Sequence, residues 1–219
     1  MIAETIRQIE RSLNGKAKLI AVTKTKPVEL LREAYNAGCR RFGENKVQEM
    51  ADKQPQLPDD VQWHLIGHLQ SNKVKYIAPF VALIHSVDSL KLLQEINKQA
   101  AKHNRVIDCL LQIYIADEET KFGLSPTEAE LLLNAPELND MHNIRLIGLM
   151  GLATNTDDEA QVRQEFRGLK QLFDKLAQLR HPQIQFQELS MGMSGDYHIA
   201  LEEGSTMVRV GSAIFGSRS

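Results

Sequence analysis

The fold this sequence predicts is an α/β barrel, a single (β/α)8 unit of the TIM type, and three observations predict it. Eight short, apolar, β-leaning runs recur along the 219 residues, most of them followed by a stretch of helical periodicity. Alternation of this kind builds a parallel sheet, and eight repeats close one on itself. No linker-like stretch divides the chain, so residues 1–219 read as one domain. The competing open, doubly wound sheet usually shows a glycine-rich first turn. Here the first strand runs into Thr23-Lys24-Thr25-Lys26-Pro27, which has no glycine at all.

The elements follow in order. Ile2, Ile6, Ile9 and Leu13 share one helical face, and Asn14-Gly15 stops that helix. Residues 18–23 form the first strand, and Pro27 opens a helix that reaches about Ala37-Gly38. Residues 41–43 read as a strand and 45–52 as a helix, with Asn45 where an N-cap belongs. Residues 63–66 make a strand and 72–76 a helical turn or two. A strand at 82–85 precedes a helix at 89–102, striped by Leu92, Leu93, Ile96 and Ala100. Strand 108–113 leads to helix 127–133. Strand 145–149 leads to a long helix, 159–179, striped by Val162, Phe166, Leu169, Phe173 and Leu176. Residues 185–189 and 207–210 are the last two strands.

Composition narrows the function. Hydrophobic residues make up 42% and charged residues 25%, a balance that supports a buried core. A net charge of −2 supplies no field for a polyanion, which argues against nucleic acid. Cys39 and Cys109 fit no metal-ligand spacing and read as buried thiols of a reducing cytoplasm. Glu4, Arg7 and Glu10 make the first helix unlike a signal peptide, and no apolar run is long enough to cross a bilayer. No apolar stripe is left over for an interface, so a monomer is expected.

In a barrel, chemistry gathers at the C-terminal ends of the strands. Lys24 ends the first strand on the same face as Ile20 and Val22. If that face points inward, the amine loses hydration and can attack a carbonyl; the plainer reading is a lysine that snorkels to solvent. Lys26 reads as an exposed loop lysine. His68 is either a titrating group or a surface histidine, with no second ligand at zinc spacing beside it. His85-Ser86 fits either a pocket lining or the core. Strand seven runs into Ser190-Met191-Gly192-Met193-Ser194-Gly195-Asp196, and strand eight into Arg209-Val210-Gly211-Ser212. Glycines and hydroxyls there suit a phosphate, although tight turns favour the same residues. Arg209 faces the way of Met207 and needs an acceptor, either a ligand or a carboxylate such as Glu188 or Glu203. A lysine electrophile trap, a phosphate cradle and a rim arginine together describe a pyridoxal 5'-phosphate site better than any other common cofactor.

The motifs also carry a resemblance. Ala21-Val22-Thr23-Lys24-Thr25-Lys26-Pro27, Phe42-Gly43-Glu44-Asn45 and Trp63-His64-Leu65-Ile66-Gly67 stand in the first third. His85-Ser86-Val87-Asp88, Leu189-Ser190-Met191-Gly192-Met193-Ser194 and Gly204-Ser205-Thr206-Met207-Val208-Arg209-Val210-Gly211 follow in order. The whole chain resembles the pyridoxal phosphate homeostasis protein family, itself similar to the barrel domain of alanine racemase and its fold-type III relatives. The resemblance implies that Lys24 carries the cofactor as a Schiff base. It implies that Ser190, Ser194, Gly211 and Ser212 hold the phosphate, with Met193 in the same pocket. Arg209 would face the pyridine nitrogen, and Asn45 would line the ring pocket.

The function this implies is binding, buffering, delivery or sensing of the cofactor in the cytoplasm, with no catalytic residues and no metal. Partners would be pyridoxal phosphate, amino acids as further small-molecule ligands, and transient acceptor proteins. The alternative is an amino-acid racemase whose second base comes from a partner. It needs acid/base groups on both faces of the substrate, and a pyridine nitrogen facing arginine is a poor electron sink. A plain structural barrel with an incidentally reactive lysine is the third reading. Lys26 and Lys121 are candidate secondary attachment sites.

Overall fold

A computed structural model describes residues 1–118 and 122–217. Eight parallel strands form a closed barrel in sequence order: β1 (Lys18–Val22), β2 (Arg41–Glu44), β3 (Gln62–Leu65), β4 (Leu83–Val87), β5 (Ile107–Ile113), β6 (Ile144–Gly151), β7 (Ile184–Met193) and β8 (Met207–Val210). Closure is made by β1 against β8, with Lys18 opposite Met207 and Ile20 opposite Arg209. The strands are buried on both faces, which is why they read as continuous apolar runs rather than as alternation.

Helices α1 (Ile2–Leu13), α2 (Val28–Asn36), α3 (Val47–Lys53), α4 (Leu90–Lys102), α5 (Pro126–Leu133), α6 (Glu159–Leu176), α7 (Tyr197–Glu202) and α8 (Ser212–Phe215) surround it. Two apolar layers result. Ile20, Leu83, Leu110, Ile147, Met150 and Met207 fill the barrel itself. A larger layer between strands and helices includes Leu13, Phe42, Trp63, Leu93 and Phe166. Alternation along β1 therefore puts Leu19 and Ala21 outward and Ile20 inward.

The structure corrects several boundaries. The helix expected at 45–52 begins at Val47, and its N-cap position is Lys46, not Asn45. Residues 71–76 wind as a 3-10 helix, and α6 stops at Leu176. Strand β7 extends well past Leu189, because Ser190 to Met193 pair with β8 although their composition reads as a loop. The short helices α7 and α8 lack a stripe long enough to announce them. Gly148 has φ +156, and a Cβ there would lie 1.6 Å from the Glu188 carbonyl oxygen. That close approach accompanies the register shift between β6 and β7. No described helix is long and apolar enough to cross a membrane.

Candidate functional site

The expected site residues stand at the C-terminal ends of β7, β8, β1 and β2, four consecutive neighbours around the barrel. Met193 ends β7 opposite Arg209 of β8. The Ser194 hydroxyl oxygen accepts N–H groups from Gly211 at 3.2 Å and Ala213 at 3.4 Å. Backbone donors at the start of α8 thus converge on one oxygen at the mouth, which is the donor arrangement an anion requires. Ser212 between them is exposed. A Cβ on Gly211 would lie 3.1 Å from both Cβ and carbonyl oxygen of Val22. Glycine therefore lets the β8 join sit directly against the end of β1, two residues before Lys24.

Lys24 is half-buried in a turn after β1. The next residue, Thr25, has φ 63, a left-handed conformation that is costly for a β-branched side chain. A buried ion-pair network holds this turn. The Lys53 ammonium donates to the Thr23 carbonyl at 2.8 Å, to Glu44 at 2.7 Å and to Glu49 at 2.7 Å. Glu49 also accepts the Thr25 N–H at 2.5 Å, and Glu44 accepts the Thr23 hydroxyl at 2.6 Å. Burial pushes the Glu44 carboxyl upward against the lowering by Lys53 and Thr23. Sequence reasoning missed Lys53, and its signal was the Glu49–Lys53 helical spacing on α3.

Arg209 is 3% exposed inside the barrel near its mouth. It donates to the Ser190 hydroxyl oxygen and, at 3.0 Å, to the Gly151 carbonyl. Neither expected carboxylate takes it. Glu188 pairs with Lys18 at 2.6 Å and Glu203 with Arg163 and Arg167. Among the described residues no carboxylate lies within ion-pair distance of the guanidinium, and burial lowers its pKa to about 10. Asp196 opposes that shift through its charge while its own side chain accepts the Met193 N–H at 2.7 Å. Asp196, to which the sequence assigned no role, therefore braces the β7 join.

Other expectations are revised. Ser190 is fully buried, bonded to Arg209 and His85 inside the barrel, and so is set apart from the Ser194–Gly211–Ser212 mouth. His85 belongs to the barrel interior. Lys26 is no exposed loop lysine; its ammonium reaches the carbonyls of Phe215, Gly216 and Ser217 at 3.3–3.4 Å. His68, after β3, stacks on Phe122 with centroids 4.0 Å apart and lies 3.6 Å from Asp88. Asn45 is half-buried after β2, and its carbonyl oxygen would be 2.4 Å from a Cβ on Gly67. Lys121 lies outside the described residues. Among the described residues no three metal-ligating side chains cluster.

The residues present fit a cofactor with a phosphate and an aldehyde: backbone N–H groups converge at the β8 join, a buried guanidinium has no carboxylate within ion-pair distance among the described residues, and a lysine ends the neighbouring strand. Comparison with known proteins agrees. The model of the alanine racemase N-terminal domain matches residues 1–219. A pyridoxal phosphate homeostasis protein of Aquifex aeolicus is 42% identical over 212 residues, covering 95% of this chain and 91% of its own. The structure of PipY from Synechococcus elongatus with pyridoxal phosphate bound superposes with a TM-score of 0.88 at 38% identity, over 99% of this chain and 100% of that one. Alanine racemase of Bartonella henselae shares the fold, with a TM-score of 0.77 at 17% identity over 99% of this chain and 58% of that one. The chain thus belongs to the alanine racemase N-terminal domain family and, within it, to the pyridoxal phosphate homeostasis proteins.

Proposed function

We propose that this chain binds pyridoxal 5'-phosphate through Lys24 and acts as a cofactor buffer or carrier in the cytoplasm, with little turnover of its own. When bound, the cofactor supplies an aldehyde that an amine can capture reversibly. Lys24 is the capturing amine, and the Lys53–Glu44–Glu49 network holds its turn in place. Ser194, Gly211 and Ser212 take the phosphate, with Met193 and Asn45 beside them at the strand ends. Ser190 supports Arg209 rather than the phosphate.

The observation that carries the reading is the buried Arg209 without a described carboxylate partner, beside amides converging on Ser194. Arginine offers only donors and keeps its charge, so a ring nitrogen meeting it must accept. An unprotonated ring is a poor electron sink, which works against carbanion chemistry. The residues hold the cofactor and exclude the protonation that would activate it. The whole chain forms one barrel domain and works as a monomer that hands its cofactor to acceptor proteins.

The test pairs two assays. Cofactor-loaded protein is incubated with each common L-amino acid and product chirality is followed. In parallel, transfer to an apo-enzyme is timed against release into buffer. The account expects racemisation far below the ~1–10³ per second of ordinary enzymes, and transfer faster than release. Rapid racemisation of one amino acid would overturn the carrier reading.

A further inference from the structure

The barrel interior holds a polar chain that the phosphate cradle does not use. His64 of β3, His85 of β4, Ser190 of β7 and Arg209 of β8 are each at most 3% exposed. His64 Nδ1 lies 2.9 Å from His85 Nε2, and His85 Nδ1 lies 2.9 Å from the Ser190 hydroxyl oxygen. Arg209 donates to that same oxygen from Nη1, and from Nη2 to the Gly151 carbonyl.

The place of each proton follows from the arginine end. A guanidinium only donates, so the Ser190 oxygen accepts from it. The single hydroxyl proton of Ser190 then has His85 Nδ1 as its remaining neighbour. Were Nδ1 the donor instead, that proton would be buried without an acceptor, a costly arrangement. His85 therefore accepts at Nδ1 and carries its proton on Nε2, which faces His64. His64 accepts in turn at Nδ1 and carries its own proton on Nε2. A cationic ring would donate from both nitrogens and break the direction of the run. Burial opposes such a charge, pushing the His64 pKa down to about 3 and that of His85 well below its usual value, with Arg209 adding to the effect on His85.

We propose that His85 and His64 are positioning residues for Arg209. A one-way run of hydrogen bonds from the guanidinium through Ser190 and His85 to His64 fixes both rings as neutral Nε2–H tautomers. The same run anchors the guanidinium from the inside, which leaves its other N–H groups for a ligand at the mouth. Only the identity of that ligand rests on the function proposed above; the run itself is made by the barrel's own residues.

Heteronuclear NMR of the ring nitrogens in cofactor-stripped protein reads the tautomers directly, with His64→Gln and His85→Asn used for assignment. Two buried rings, each protonated on Nε2 with a bare Nδ1 at neutral pH, is the expected result. A proton on Nδ1 of either ring, or a cationic ring, overturns the proposal. The second arm times pyridoxal phosphate loss on dialysis. His85→Leu removes the acceptor of Ser190 and should lose cofactor on the order of tenfold faster. His85→Asn retains an acceptor oxygen near the Nδ1 position and should stay close to wild type. Equal loss in both variants would make His85 a packing residue and end the positioning role. Failure of the wild-type protein to hold pyridoxal phosphate would sink the functional reading instead, and the tautomer measurement would still decide this one.

Discussion

At the residue scale, the proposed function divides the work between Lys24 and Arg209: one would attach the cofactor, and the other would set the state of what is attached. Lys24→Ala should abolish the visible absorbance of bound cofactor and leave the fold intact, since a half-buried rim side chain shortened to Ala creates no core cavity. Circular dichroism and the absorbance spectrum together check this. Arg209→Gln should weaken retention less than Ser194→Ala combined with Ser212→Ala, because in the proposed site the cradle would make several bonds to a dianion while Arg209 would meet one neutral atom. Faster loss from Arg209→Gln on dialysis would reverse that ranking. The places of Lys24 and of the Ser194–Gly211–Ser212 join at strand ends were legible, because strand ends and glycine-rich joins leave local marks. The true partners of Arg209 were not. They come from β6 and β7, and a buried donor satisfied by a hydroxyl and a backbone carbonyl leaves no complementary charge to find in the sequence.

At the element scale, α3 is more than a spacer between β2 and β3. It brings Lys53, with its side chain 8% exposed, onto Glu44, which is fully buried. Removing one member of a buried pair strands the other, so Lys53→Met should destabilise the fold by about 3–5 kcal/mol near pH 8. The pH dependence has a definite sign. Glu44 already titrates above its ordinary value, and losing the lowering by Lys53 raises it further. A raised carboxyl binds a proton more readily folded than unfolded, so the variant regains stability relative to wild type as pH falls. Denaturant melts at several pH values check this; a stability gap that widens on acidification would contradict it. Strand and helix order was legible from periodicity, since each long helix carries its own stripe. Strand β7 was cut short, and α7 and α8 went unread, because Ser190-Met191-Gly192-Met193 and the residues after it look like a turn in isolation. Gly192, with φ +105 and a would-be Cβ 2.7 Å from that of Ala200, shows how tightly that stretch is packed against α7.

At the scale of the whole molecule, the barrel gathers residues more than 180 positions apart, Lys24 and Ser212 among them, onto adjacent strand ends. Closure of β8 onto β1 is therefore the step that assembles the site, and at Gly211 that closure leaves little room for a side chain against Val22. The same closure encloses the His64–His85–Ser190 run behind Arg209, which no single segment of sequence could reveal. Apart from the turnover and transfer assays, one measurement bears most directly on the central claim that Lys24 carries pyridoxal phosphate. Loaded wild-type protein is reduced with borohydride, digested, and mapped by mass spectrometry. The account predicts the cofactor's mass on the peptide containing Lys24, at close to one equivalent, with none in Lys24→Ala. Label spread over surface lysines, or retained at full yield in Lys24→Ala, would contradict it.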